Sequence, residues 1–352
     1  MNGRERVLAL IEGRPVDRVP LLPITMMFAA DLIGVKYGLY VTDYRLLVEG
    51  QMRTAERFDA DLVSAISDPA REAGDLGAKV RFFEDQPPAF VESEALLADK
   101  SVLGRLRAPD PASGKRMSDR LQALALFKEK AGGKRIIEGW IEGPCALAAN
   151  LRGINTLMTD FFDDPAFVTD LLAFSTEVAI GFARAQKAAG AELMGVGDAV
   201  ASLVGRPIFE QTLAPYHVKL VEALHGMGLK TRSHICGNTT KICKARASLG
   251  YDILDIDSPV PLEHARAEMG PETIILGNIP TVKVMEQGTP EEVRMTAAAC
   301  HRACGAKHII SAGCEVPRKT PHANMNALRE YAYSLAKTGN EAPASAQSQA
   351  VS

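Results

Sequence analysis

The chain has little of what marks several common functional classes. It holds one tryptophan and six cysteines in 352 residues, and 40 lysines and arginines stand against 43 aspartates and glutamates. A formal charge of −3 leaves no general basic field for a nucleic-acid backbone or an anionic membrane surface. Neither is an expected partner. The cysteines are too sparse for a secreted disulfide framework, and no CxxC pair is present. The opening MNGRERVLALIEGRP has no long apolar stretch before a small-residue cleavage site, and no run approaches the roughly 20 apolar residues of a membrane span. The expectation is a cytoplasmic chain with reduced thiols. GxSxG, GxxxxGKS/T and HExxH are all missing, which removes the simplest hydrolase, P-loop and zincin readings.

What is present is apolar mass in a regular order. Hydrophobic residues make up 47% of the chain, enough for a substantial core and too many for a disordered chain. A helix over 4–12 stops at Gly13 and Pro15, and the stretch 15–23 reads as turns. A helix over 43–58 precedes an apolar strand, 60–67, and 77–95 reads as a hairpin-like excursion around Pro87-Pro88. From 116 onward helices alternate with short strands at 135–141, 192–196, 230–235, 253–256, 273–277 and 308–312, the last helix being 290–304. Six or seven such strands indicate βα units around a parallel sheet buried on both faces. No linker divides the alternation. The fold class expected is therefore α/β, a single (β/α)8 TIM barrel over 1–336, with a disordered tail from 337 to 352. A doubly wound sheet would need a glycine fingerprint, and Gly195-Val196-Gly197-Asp198-Ala199-Val200 lacks the third glycine.

In such a barrel reactive groups gather at the C-terminal ends of the strands. One strand runs into His234-Ile235-Cys236, whose i, i+2 spacing sends two donors to the same side, and the last runs into Gly313-Cys314-Glu315. A His/Cys/Cys set leaves a fourth position open on tetrahedral Zn²⁺, as a catalytic site requires. Spacing alone leaves the ligand and core readings level, because both residue types bury readily. Cys243, Cys300 and Cys304 read as packing, Cys145 is undecided, and His217, His225 and His301 read as surface or packing. Asp68, Glu142, Asp198 and Asp257 also end strands, where a carboxylate could cap a helix, complete or orient a metal site, or act as a general acid.

The segments Gly13-Arg14-Pro15-Val16-Asp17-Arg18-Val19-Pro20, His234-Ile235-Cys236-Gly237-Asn238-Thr239 and 312–321, AGCEVPRKTP, resemble the uroporphyrinogen decarboxylase superfamily in its cobalamin-dependent methyltransferase branch. The likeness spans roughly 3–336. It implies a TIM barrel and catalytic zinc on His234, Cys236 and Cys314. True decarboxylases carry an arginine-rich segment that grips substrate carboxylates, whereas 21–40 here contains no arginine, which argues against a tetracarboxylate porphyrinogen. Glu142-Gly143-Pro144, Asn150-Leu151-Arg152-Gly153 and 197–202 look like the vanillate or veratrol O-demethylase type, although Ile279-Pro280 stands where that pattern has an aspartate before the proline. The resemblance implies transfer of a methyl group from an aromatic methyl ether to Co(I) of a separate corrinoid protein, with Glu142 or Asp198 donating a proton. The near-neutral charge suits an uncharged or weakly anionic aromatic. The alternatives are a methylcobalamin:thiol methyltransferase of the coenzyme M type and, less well supported, a uroporphyrinogen decarboxylase. No DxHxxG segment offers a histidine to cobalt, so the corrinoid belongs to a partner. The other partners implied are a small-molecule methyl donor and, as an option, a second copy of the chain in a homo-oligomer.

Overall fold

Short, mostly apolar segments form the parallel strands, as burial on both faces favours, with the polar segment 230–234 as the exception. The computed structural model describes residues 1–337, so the expected tail from 338 onward lies outside the described residues, and Lys337 ends a last 3₁₀ turn. Its strands are β1 (Leu62–Ser64), β2 (Val80–Arg81), β3 (Ala89–Phe90), β4 (Ile136–Glu142), β5 (Leu193–Gly197), β6 (Lys230–His234), β7 (Ile253–Ile256), β8 (Ile274–Gly277) and β9 (His308–Ile309). Seven of them form one parallel sheet in the order β1-β4-β5-β6-β7-β8-β9, and β2 with β3 makes the antiparallel excursion expected at 77–95. Every residue of β4 is buried.

The eighth position is filled by a segment that the sequence reads as turns. Leu21 pairs in parallel with Ile310, the Pro20 carbonyl accepts from the Ile310 amide at 3.1 Å, and the Leu21 carbonyl accepts from Asp61 at 2.9 Å. This stretch stands between β9 and β1 and closes the barrel. Pro20 and Pro23 remove two ladder donors, which hides the strand from pattern reading. Buried Asp61 fastens the seam. It takes Arg6 Nη1 at 2.5 Å, Arg18 Nη1 at 3.0 Å and the Leu21 amide at 2.8 Å, and two guanidiniums on one carboxylate offset its desolvation.

The helices lie outside the sheet. Pro165–Ala189 is long and apolar enough to cross a membrane by length and composition, contrary to the expectation that no such segment exists. Yet 61% of its most apolar 18 residues are buried inside the molecule, where it packs on β4 and on the helices Lys115–Ala131 and Pro144–Arg152. That is how a barrel's core helix reads. The helix expected at 207–227 is broken into Arg206–Ile208, a π turn over Phe209–Leu213 and Ala214–Gly226. A further helix, His322–Ser334, follows the one expected to be last, and its His322 ring stands edge-on to Phe28 and Phe58 at 5.8 and 5.6 Å.

Candidate functional site

At the C-terminal mouth the strand ends bring His234, Cys236 and Cys314 together across 80 residues of sequence. His234 Nε2 lies 2.9 Å from Cys236 Sγ and 3.5 Å from Cys314 Sγ, and the sulfurs are 3.4 Å apart. The hydrogen bond from Cys236, with those from His234, lowers the Cys314 thiol to about 5, while Cys236 is pushed up because it keeps the shared proton. Burial opposes a charge on His234, but its bonds to Asp255 and Cys314 outweigh that and raise it to about 9.

The donor chemistry fits zinc: one imidazole nitrogen and two sulfurs, all within 4.8 Å of one another. On a tetrahedral zinc, bonds of about 2.0–2.1 Å to nitrogen and 2.3 Å to sulfur place donors about 3.6–3.8 Å apart. The separations here, 2.9–3.5 Å, are shorter. His234 is also held as a ligand should be. Its Nδ1 faces Asp255 Oδ2 at 2.9 Å, which fixes the ring so that Nε2, once its proton is displaced by a metal, turns a lone pair toward the thiols. Asp255 is itself gripped by Arg232 Nε and Nη2 at 2.9–3.0 Å, and Arg232 Nη1 reaches Glu138 at 3.1 Å, all fully buried. Asp255→Asn is expected to weaken zinc binding about 10–100-fold in a competition titration against a chromogenic chelator. Unchanged affinity would reduce Asp255 to a partner of Arg232.

Beside the cluster opens a cavity of about 290 Å³, bounded by strand ends from six parts of the barrel. An engineered apolar cavity of about 150 Å³ holds benzene, so this one accommodates a single substituted ring. Trp140 forms one wall, its ring 6.3 Å from that of His234. The glycines that resembled a nucleotide fingerprint serve this ring. A Cβ on Gly195 would fall 2.2 Å from Trp140 Cε3, and one on Gly197 2.9 Å from its Nε1.

Of the two acids expected as proton donors, the structure brings Glu142 to the cavity and not Asp198. Asp198 is fully buried behind it, accepting the amides of Cys145 at 3.2 Å and Ala146 at 2.6 Å at the start of helix Pro144–Arg152, with His217 Nε2 at 3.1 Å. Its carboxylate anchors that helix end. Glu142 lines the cavity and takes Arg71 Nη2 at 3.0 Å. Burial pushes the Glu142 carboxyl well up, Arg71 opposes this, and the nearby Glu72, Asp198 and Asp68 add to the rise. Asp68 lines the wall too, bound by Arg116 Nη2 at 2.5 Å. Asp257 accepts the Gly237 amide at 2.7 Å and so shapes the turn after Cys236.

The cysteines expected to pack do so: Cys243, Cys300 and Cys304 are buried in or beside helices, and undecided Cys145 is buried at a helix start. His217 is buried against Tyr251 at 2.9 Å, while His225 is exposed beside Asp252. Sequence reading missed Trp140, Asp255 and Glu315. Asp255 had a signal, since β7 pairs it directly with His234. Glu315 had none. Its Oε1 accepts the Met27 amide at 3.0 Å across the barrel seam, and burial raises its carboxyl to about 7, helped by the neighbouring Cys314.

Fold and site together define a (β/α)8 barrel with a His/Cys/Cys donor set at its C-terminal mouth. Residues 2–335 match the uroporphyrinogen decarboxylase (URO-D) family model, and the chain belongs to that family. A methylcobamide:CoM methyltransferase, MtbA, from Methanosarcina mazei is 27% identical over 337 residues, 94% of this chain and 97% of the relative. The methylcobamide:CoM methyltransferase MtaA from Methanosarcina barkeri is 24% identical over 332 residues, 92% of this chain and 96% of its own length. Among solved structures, a methyltransferase from Methanosarcina mazei superposes with a TM-score of 0.86 at 22% identity, covering 94% of this chain and 98% of that one. These relatives agree with the branch expected from the motifs.

Proposed function

We propose that this chain is a zinc-dependent methyltransferase that moves a methyl group from a small methylated substrate, an aromatic methyl ether in the first reading, to Co(I) of a corrinoid carried by a partner protein. The observation that carries the proposal is the His234, Cys236 and Cys314 donor set opening onto an apolar, one-ring cavity walled by Trp140. Zn²⁺ bound there would supply Lewis acidity at the cavity wall. The chain's own groups supply the rest. Asp255 fixes the imidazole, Ile24, Ile66 and Trp140 exclude water from the ring, and protonated Glu142 is a proton donor facing the substrate. In the transfer the methyl C–O bond breaks and both electrons stay on oxygen, which takes the Glu142 proton. The new Co–C bond forms from the electron pair of Co(I), which makes the corrinoid a co-substrate.

The test is methyl transfer from a panel of methyl ethers to added cob(I)alamin, followed in the cobalt absorption spectrum with zinc-loaded protein. Formation of methylcobalamin supports the proposal; no transfer from any ether, amine or thioether despite bound zinc contradicts it. A second reading is favoured by the names of the relatives, which are methylcobamide:CoM methyltransferases. In it a thiol accepts the methyl group from methylcobalamin. Loss of methylcobalamin in the presence of coenzyme M, without ether activity, would select it.

A further inference from the structure

The ladder between β1 and β4 stops short of the mouth. Its register runs from Leu62 opposite Ile136 to Ser64 opposite Glu138, and the Ala65 amide still donates to the Glu138 carbonyl at 2.9 Å. Beyond that point the chain after β1 leaves β4, and the cavity is lined by Ile66, Asp68 and Pro69 from the one and by Trp140 and Glu142 from the other. The splay strips β4 of its neighbour along one edge. Ile137 and Gly143 bond Glu192 and Gly197 on the β5 side, so Trp140 and Glu142, in step with Glu138, turn their backbone groups to the side that β1 has left.

Side chains complete that edge. Gln186, fully buried in helix Pro165–Ala189, accepts the Trp140 amide on Oε1 at 2.9 Å and donates from Nε2 to the Trp140 carbonyl at 3.0 Å, while Glu72 Oε1 accepts the Glu142 amide at 2.9 Å. A carboxamide holds a donor beside an acceptor, as a peptide group does, so Gln186 copies the strand residue that is missing. Without it a buried N–H and a buried C=O would both lack partners, which is costly. The fit is close, since a Cβ on Gly139 would fall 2.6 Å from Gln186 Oε1. We infer that Gln186 is a positioning residue for this site: by standing in for β1 it fixes the backbone of Trp140, and so sets the indole wall against which a ring substrate lies beside His234. That the cavity takes a methylated ring rests on the proposed methyl-transfer reading, whereas the hold on Trp140 does not.

Trp140 is the chain's only tryptophan, so ¹⁵N-tryptophan labelling gives a single backbone amide and a single indole signal in the nuclear magnetic resonance spectrum. In Gln186→Leu, which keeps an apolar stem, the amide proton should move upfield and exchange with solvent faster by about tenfold or more. Anisole, titrated against the indole signal, should bind that variant about tenfold more weakly, with zinc content unchanged. Gln186→Glu should bring the amide signal back toward its parent position near about pH 5 and not near about pH 8, because burial favours the neutral acid, which keeps a donor beside its acceptor. This pH dependence carries the test if Gln186→Leu does not fold. Glu177→Gln, exposed on the same helix and paired with Lys219, should change nothing. Parent-like Trp140 signals in Gln186→Leu, unchanged anisole affinity despite shifted signals, or no anisole binding by the parent at millimolar concentration overturns the inference. Anisole binding by the parent without methyl transfer to cobalt would count against the methyl-transfer reading alone.

Discussion

Cys314→Ala and His234→Ala are each expected to leave the purified protein without stoichiometric zinc and without methyl transfer. Each removes one of three donors whose atoms sit within 4.8 Å of one another. Structural zinc sites with a full protein ligand set bind with about 10–16 kcal/mol, so loss of a third of the donors costs several kcal/mol, a factor of about 10³ or more in affinity. Cys300→Ala is the matched control. Cys300 is buried in helix Pro290–Cys304 with its sulfur 3.7 Å from Asn278 Oδ1, far in function from the cluster, and its removal should leave zinc content and transfer intact. Elemental analysis of the three variants, with a far-ultraviolet spectrum to confirm folding, checks this. Full zinc in both ligand variants would show that the metal is held elsewhere.

Glu142→Gln should lower transfer about 10²–10⁴-fold, the usual worth of a positioned proton donor, with zinc content unchanged. Glutamine keeps the shape and a hydrogen bond to the substrate but has no proton to give. The sign of the pH dependence follows from the raised carboxyl. Burial and the neighbouring acids keep Glu142 protonated beyond the ordinary carboxylate range, so transfer should fall as pH rises through that elevated value. The glutamine variant should lose this alkaline limb. Stability follows the same sign. The stabilisation from a carboxyl whose folded pKa is raised is fully present below its unfolded value and is lost as pH rises through the folded one. At neutral pH the variant should therefore melt no lower than the parent, since Arg71 retains Glu72. A rate within threefold of the parent would return the proton-donor role to another group.

The barrel was legible because most of its strands are short, largely apolar runs separated by helices, a pattern that burial on both faces of a parallel sheet favours, while polar β6 was placed by the regular alternation around it. The seam was not. Leu21 sits between Pro20 and Pro23, and its strand character comes from the partners Ile310 and Asp61 on either side rather than from its own neighbours. The same physics divides the site. His234 and Cys236 share a side because of strand periodicity, and Cys314 could be added only because the last strand had to end at the same mouth. Trp140 and Glu315 became site residues through tertiary placement: one lies over two side-chain-free positions of the next strand, the other bonds a backbone amide 288 residues away. Asp198 shows the converse. A strand-end acid beside glycine resembles a catalytic group in sequence, yet its position turns it toward a helix N-terminus.

X-ray absorption at the zinc edge of the metal-loaded protein tests the central claim most directly, because it reads the donors themselves. The account predicts two sulfurs and one histidine nitrogen, with the remaining position taken by a light atom that exchanges when a methyl ether or thiol is added. A first shell of nitrogen and oxygen only, or four sulfurs, would contradict it.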